Sequence, residues 1–347
     1  MTSHHPDPHG VQHFEFIEFA APEAEALHDL FARLGFTAVA RHRHQPLTLY
    51  RQGDINFVIN ESADGFAADF ARQHGPSCCG FALRVNDAML ARQQLVDAGV
   101  AGMDQSHGLG LALPAVAGIG GSALYLTQSL ADLEAEFDFI EGVDPQPKGV
   151  GLSFVDHLTH NVRNGNMDQW ADFYRQHFGF REVKYFDIKG SQTGLRSRAM
   201  TAPTGAISIP INESENPKSQ INEYIDQYQG EGVQHIALYT DHIHEAVEQL
   251  HANGMAFLDT PDTYFDAIDE RIPDHGEDVA RMRANKILID ADVNNPNLKL
   301  LQIFTHTNIG PIFFEIIQRK GNEGFGEGNF QALFEAIERD QKARGVL

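Results

Sequence analysis

Two hydrophobic periods alternate along the chain. Stretches with apolar residues at three- and four-residue spacing, Leu27–Phe36 and Trp170–Phe180, read as amphipathic helices, and each ends in Gly-Phe. Strand-like runs flank them. Ile-Asn-Phe-Val-Ile-Asn-Glu-Ser at 55–62 returns as Ile-Ser-Ile-Pro-Ile-Asn-Glu-Ser at 207–214. Further on, Gly80-Phe-Ala-Leu-Arg-Val precedes an amphipathic run ending at Gly99, and His235-Ile-Ala-Leu-Tyr-Thr precedes a matching run ending at Gly254. An offset of about 142 to 155 residues links the copies along the whole chain, the mark of a duplicated domain.

Each half reads as strand, helix and three strands, twice over, which is an α+β architecture of paired βαβββ modules. The Pro- and Gly-rich stretch 141–151 is the natural joint. The expected division is a disordered leader at 1–12, a first domain at 13–150 and a second at 151–347. Near the end, Gly324-Phe-Gly-Glu-Gly leads into a helix with Phe330, Leu333, Phe334 and Ile337 on one face. That is either a lid on a glycine hinge or a terminal helix packed on its domain.

Composition narrows the function. The 347 residues are 42% hydrophobic and 21% charged, enough for two packed cores. Against 26 Lys and Arg stand 48 Asp and Glu, a net charge of −22 with a pI near 5.1. Such a surface repels phosphate backbones and anionic membranes, so nucleic acid is not expected as a partner. No run of about 18 apolar residues and no apolar signal core is present, which points to the cytoplasm and away from a membrane. Cys78 and Cys79 are adjacent, exclude a disulfide framework and read as core thiols.

Glu315 lies in the apolar run Gly-Pro-Ile-Phe-Phe-Glu-Ile-Ile-Gln at 310–318. Burying it unpaired would cost several kcal/mol, so a metal ion, or a salt bridge to Arg319 or Lys320, must offset its desolvation. Two histidines occupy similar settings: His157 in Phe-Val-Asp-His-Leu-Thr-His-Asn-Val and His235 in Gly-Val-Gln-His-Ile-Ala-Leu-Tyr. Strand alternation puts Val155, His157 and Thr159 on one face and Leu158 on the other. Two imidazoles and a carboxylate form the facial set suited to non-haem Fe(II) oxygen chemistry. Taken singly, each histidine is more often a satisfied core residue, and His160 is a rival ligand expected on the opposite face. By the repeat offset, Glu15 falls where the second half has His157, Gly80 where it has His235, and Phe137–Ile140 near Glu315. Histidines confined to one copy favour a ligand role over a packing role.

Several blocks carry a resemblance: Val-Asp-His157-Leu-Thr-His-Asn-Val, Gly-Glu-Gly-Val-Gln-His235-Ile-Ala, Pro261-Asp-Thr-Tyr-Phe, Arg271-Ile-Pro-Asp-His-Gly, Phe-Phe-Glu315-Ile-Ile-Gln-Arg-Lys-Gly and Gly324-Phe-Gly-Glu-Gly-Asn-Phe. From Phe14 to the C-terminus the chain resembles the 4-hydroxyphenylpyruvate dioxygenase family. The resemblance implies a two-domain vicinal-oxygen-chelate fold, each domain an open barrel of paired βαβββ modules. It implies one Fe(II) per chain, in the second barrel only, held by His157, His235 and Glu315. It implies a substrate pocket of Ser197, Pro210, Asn212, Gln220, Gln234, Gln302, Phe304, Phe313, Phe325, Asn329, Phe330 and Leu333. Gln234 fits awkwardly, because strict alternation points it away from His235.

The implied reaction takes 4-hydroxyphenylpyruvate and O2 to homogentisate and CO2 by oxidative decarboxylation, ring hydroxylation and side-chain migration. The setting would be tyrosine and phenylalanine catabolism, in a homo-oligomer. No 2-oxoglutarate is needed, since the oxo acid is part of the substrate. The nearest rival is hydroxymandelate synthase, which hydroxylates the benzylic carbon and typically differs at Pro210 and Phe304. A glyoxalase or extradiol dioxygenase on the same fold leaves the lid and the Pro-Asp-Thr-Tyr block unexplained. A metal-free, drug-sequestering binding protein is the alternative of a different class.

Overall fold

The computed structural model describes residues 7–21, 23–189, 194–292 and 295–329. Their strands form two sheets. The first runs, neighbour to neighbour, Gly102–Met103, Ala115–Ala117, Ala123–Thr127, Ser77–Arg84, Phe14–Ala20, Ile55–Asn60, Leu47–Gln52, Thr37–His42 and Phe137–Phe139. The second runs Arg181–Lys189, Gly194–Thr201, Ser208–Glu213, Phe154–Asn161, Gly232–Tyr239, Phe313–Lys320, Lys299–Phe304 and Leu288–Ala291. In every module the first and last strands pair in parallel, and the two first strands of each half pair antiparallel at the sheet centre. His157, His235 and Glu315 lie on three adjacent strands of the second sheet, Phe154–Asn161, Gly232–Tyr239 and Phe313–Lys320.

Amphipathic helices cover one face of each sheet. Met167–Phe178, for example, buries Met167, Ala171, Tyr174 and Phe178, the three- and four-residue spacing of a single stripe. The helix-covered faces share one apolar cluster that includes Phe31, Phe57, Phe81, Leu158, Tyr174 and Phe314. Phe57 meets Phe314 at 6.1 Å and Phe81 meets His160 at 6.0 Å between ring centroids, so the two halves are joined through their cores. The opposite face of the first sheet closes on a core of its own, with Phe16, Leu49, Val58, Ala82, Tyr125 and Phe137. The matching face of the second sheet has a small apolar cluster of Ala237, Leu300 and Ile317 and otherwise lines a cavity.

The duplication is visible in the ladders, including their irregularities. Phe14–Ala20 slips against its antiparallel neighbour between Phe14 and Phe16 and again between Glu18 and Phe19. Phe154–Asn161 slips between Val155 and His157 and between Thr159 and His160. Phe16 pairs with Ala82 as His157 pairs with Ala237, and Gly80 pairs with Glu18 as His235 pairs with Thr159. Tyr125 pairs with Ala82 as Glu315 pairs with Ala237.

Gly80 therefore stands at the His235 position as expected, but Phe16 rather than Glu15 matches His157, and Tyr125 rather than Phe137–Ile140 matches Glu315. A constant offset fails because the halves differ in loop length. Phe16 to His157 spans 141 positions, Gly80 to His235 155, and Tyr125 to Glu315 190. Helices Asp262–Asp266, Ile268–Arg271 and Val279–Asn285 widen the last interval.

Residues 9–11 of the leader also depart from expectation. His9 is buried against the Phe178 ring, centroids 5.8 Å apart, and its carbonyl accepts from Asn86 N. Val11 is fully buried, and its carbonyl accepts from Thr204 Oγ1 at 3.1 Å. Burial of Val11 and these backbone bonds outweigh the turn-forming prolines before them, and this stretch ties the first half to the second. Among the described residues no helix is long and apolar enough to cross a membrane.

Candidate metal centre

His157, His235 and Glu315 come from three adjacent strands and converge on one point. His157 Nε2 lies 3.3 Å from Glu315 Oε2, His235 Nε2 lies 3.4 Å from the same oxygen, and the two Nε2 atoms are 3.3 Å apart. His157 and Glu315 are only 2% and 3% exposed. Three donors about 2.1 Å from one ion stand roughly 3.0 Å apart at right angles and roughly 3.4 Å apart at tetrahedral angles, so the observed spacing suits a three-donor cap on a single cation. Among the described residues this is the one group of three or more His, Cys, Asp or Glu side chains so placed.

Each imidazole is turned by the residue just before it. His157 Nδ1 donates to Asp156 Oδ1 at 2.7 Å, and His235 Nδ1 donates to Gln234 Oε1 at 2.9 Å. Both bonds commit Nδ1 and direct Nε2 into the cluster, the way an outer partner fixes a metal-ligating histidine. Gln234 thus orients His235 and does not line the cavity. The Thr159 hydroxyl lies 3.0 Å from His235 Nε2 and donates to the lone pair that a cation would take.

The salt-bridge alternative for Glu315 does not hold. Arg319 binds Asp156 with Nε and Nη2, both at 2.7 Å, and Lys320 pairs with Glu277 at 2.8 Å. Burial works to raise the Glu315 carboxyl, but the two histidines hold it down to about 2. Burial works against the His157 imidazolium, yet Glu315 and Asp156 raise it to about 9. Burial lowers His235, which Glu315 only partly offsets. Asp156 stays well below the usual carboxylate range despite its burial, because Arg319 and His157 donate to it. His160, the rival ligand, points to the helix side, 2.7 Å from the Tyr174 hydroxyl, and burial lowers it to about 3.

The cluster lies in the wall of a cavity whose lining is mostly apolar. Ser197, Pro210, Asn212, Phe304 and Phe325 line it with the triad, as the resemblance implies. Phe313 stacks on His235 at 4.9 Å and meets Phe304 edge-on at 6.1 Å. Phe325 stands edge-on to His157 at 5.4 Å.

Other expected pocket residues sit elsewhere. Gln220 is exposed at the start of helix Gln220–Tyr228, because Ser219 caps that helix and turns its first residue outward. Gln302 is buried beside Phe304's strand neighbours, with its Oε1 unpartnered. Gly326, at φ 75°, passes so close that a Cβ there would lie 2.3 Å from Gln302 Nε2. Asn329 accepts from the Tyr264 hydroxyl at 2.7 Å, outside the cavity lining, and its Nδ2 is unpartnered. Phe330, Leu333 and the lid helix lie outside the described residues.

Thr159, expected on the His157 face, also lines the cavity, as do Phe186, Leu195 and Glu327, which the sequence does not single out; Glu327 is held by Lys184. Phe186 falls on the edge strand and Leu195 on the strand beside it, where alternation does not separate them from ordinary core. Asp156 was legible in principle, since it is the acid immediately before a candidate ligand.

The family model described as "Hydroxyphenylpyruvate dioxygenase, HPPD, N-terminal" matches residues 5–143, and that of the "Glyoxalase/Bleomycin resistance protein/Dioxygenase superfamily" matches 154–270. A 4-hydroxyphenylpyruvate dioxygenase of Pseudomonas aeruginosa is 51% identical over 98% of this chain and 97% of its own. "Hemolysin VllY" of Vibrio vulnificus is 53% identical over 98% of both. A triple variant of 4-hydroxymandelate synthase from Streptomyces coelicolor, 24% identical, superposes with a TM-score of 0.82 over 96% of this chain and 99% of that one, a likeness of fold. Two sheets of paired βαβββ modules and relatives of this similarity over the full length place the chain in the vicinal-oxygen-chelate fold, as an enzyme of the 4-hydroxyphenylpyruvate dioxygenase family.

Proposed function

We propose that the chain is a non-haem Fe(II) enzyme that converts 4-hydroxyphenylpyruvate and O2 to homogentisate and CO2, with His157, His235 and Glu315 as its iron ligands, in tyrosine and phenylalanine catabolism. The observation that carries this reading is the triad itself, three donors within hydrogen-bond distance of one another in the wall of an aromatic cavity. Fe(II) held there would supply open coordination positions and the redox chemistry by which O2 decarboxylates a 2-oxo acid.

The chain's own residues do the rest. Asp156 and Gln234 hold the imidazoles with Nε2 inward. Phe186, Phe304 and Phe325 make a dry wall suited to a phenyl ring and keep water from the reacting carbons. Ser197 and Asn212 are ladder partners, and Asn212 stands four residues beyond Ser208, the parallel partner of His157. That is about 13 Å along the strand, far enough to put their polar groups at the end of the cavity where a phenol would reach. Pro210 lies between, and leaves that stretch of wall apolar.

The test is anaerobic reconstitution with Fe(II), then 4-hydroxyphenylpyruvate and O2 without 2-oxoglutarate. Homogentisate with an equal amount of CO2 is expected. Hydroxymandelate would move the chain to the sister reaction, and neither product from iron-loaded protein would overturn the reading.

A further inference from the structure

One guanidinium spans two parts of the site. Arg319 gives Nε and Nη2 to Asp156, both at 2.7 Å, and Nη1 to the carbonyls of Asn322 at 3.1 Å and Gly324 at 2.6 Å. Asp156 Oδ1, already held by Nη2, also accepts from His157 Nδ1 at 2.7 Å. On the other side, the segment fixed by Nη1 carries Phe325, whose ring lies 5.7 Å from the guanidinium carbon and 5.4 Å from the His157 ring. Arg319 and Asp156 are largely buried, at 18% and 8% side-chain exposure, so solvent screens the pair little.

We propose that Arg319 is a positioning residue that couples the orientation of His157 to the placement of the Asn322–Phe325 segment over the cavity. A planar fork with five donors can hold a carboxylate in two-point fashion and still reach two carbonyls; a lysine ammonium cannot do both in fixed geometry. Because the same group satisfies both sides, neither can shift without losing donors on the other. Phe325 therefore takes its place against the ring only when His157 is turned for a ligand. The coupling rests on the metal reading for its purpose but not for its existence, since every contact in it is made by the protein alone.

The experiment compares Arg319→Gln, Arg319→Lys and Asp156→Asn with the unaltered chain by two readouts. One is amide hydrogen exchange at 322–326 in metal-free protein, and the other is anaerobic Co(II) titration. Asp156→Asn is the decisive variant, because the hydrogen bonds of the Asp156 carboxylate go to Arg319 and His157 and not to 322–326. It is expected to speed exchange there and to weaken Co(II) binding about 10- to 100-fold, the range for loss of a ligand's outer partner. Arg319→Gln should do both, and Arg319→Lys should recover part of the Co(II) affinity but not the slow exchange. The double variant, neutral at both positions, remains readable if a single charge left unpaired prevents folding, and it should be no worse than the more damaged single. Exchange at 322–326 unchanged in Asp156→Asn or in the double variant would overturn the coupling. Failure of the unaltered chain to take up Co(II) would instead count against the triad as a metal site, with the exchange result still deciding the coupling.

Discussion

Glu18 and Glu315 are both carboxylates on central strands, buried in matching halves of a duplicated molecule, and they titrate in opposite directions. Burial raises Glu18, and its partners are neutral: Asn60 Nδ2 donates to it at 2.7 Å and the Tyr125 hydroxyl at 2.8 Å. Glu315 faces two imidazoles and is lowered. Around Glu18 the triad positions are occupied by Phe16, Gly80 and Tyr125, with the Phe16 and Tyr125 rings 5.3 Å apart. Gly80 is needed there, since a Cβ would lie 2.9 Å from Tyr125 Cε2 and 2.8 Å from the Ala123 carbonyl. A carboxylate in an apolar strand is thus no sign of a metal by itself; what distinguishes the two is whether the neighbouring strands bring bases or a phenol.

The sharpest way to break this contrast is Glu315→Gln. It should fold and yet lose more than about 100-fold in turnover, beyond what outer partners of a metal site cost. Full homogentisate production by the variant would remove Glu315 from the centre. On the first-half side, Tyr125→Ala should cost about 3–5 kcal/mol in urea unfolding, the range for emptying a large ring from a core, while leaving turnover per folded molecule and iron content unchanged. A loss of iron would mean that the first half shapes the second site directly.

The charge state of the triad gives a pH test. With His157 raised to about 9, its imidazolium must lose a proton to bind a cation, so affinity should fall about tenfold per pH unit below that value, with one proton released per metal at pH 7. Isothermal titration in buffers of different ionisation heat measures that proton; none released would refute the assigned state.

In metal-free protein, the His157 contribution to stability is present below about 6.5 and lost as pH rises through about 9. That of Glu315 is present above about 4.5 and lost as pH falls toward about 2. Glu18 has the opposite sign to Glu315, because its raised carboxyl favours folding below its ordinary value and loses that as pH rises. Glu18→Gln should therefore leave the urea midpoint unchanged at pH 4 and raise it at pH 8, and a lower midpoint at pH 8 would show an ionised Glu18.

Phe304 faces Glu315 across the ladder as Ala115 faces Tyr125, so the second half has a ring where the first has a methyl. Phe304→Ile should shift product toward hydroxymandelate with a modest loss of rate; an unchanged product ratio by chromatography would free Phe304 from guiding the attack.

Much of the fold and the centre was legible in the residues. Period and repetition gave the modules, and bases beside a buried acid gave His157, His235 and Glu315. Loop insertions were the main obstacle to aligning the copies, as Tyr125 illustrates, because length differences in loops change no ladder contact. Glu18, in a run about as apolar as that of Glu315, takes the neutral partners Asn60 and Tyr125, a difference that only the folded contacts reveal. Strict alternation points Gln234 away from the cavity, where the structure has it, although the resemblance implies a pocket residue; what alternation does not show is that the amide reaches back to its neighbour's ring.

The core shared between the halves bears on anyone who would cut the gene near codon 150 to obtain a minimal catalyst. The piece carrying the triad would present Phe314 and the His160 ring to water where Phe57 and Phe81 now meet them. The half that lacks the triad thus completes the other's core, and heat should melt both halves in one event.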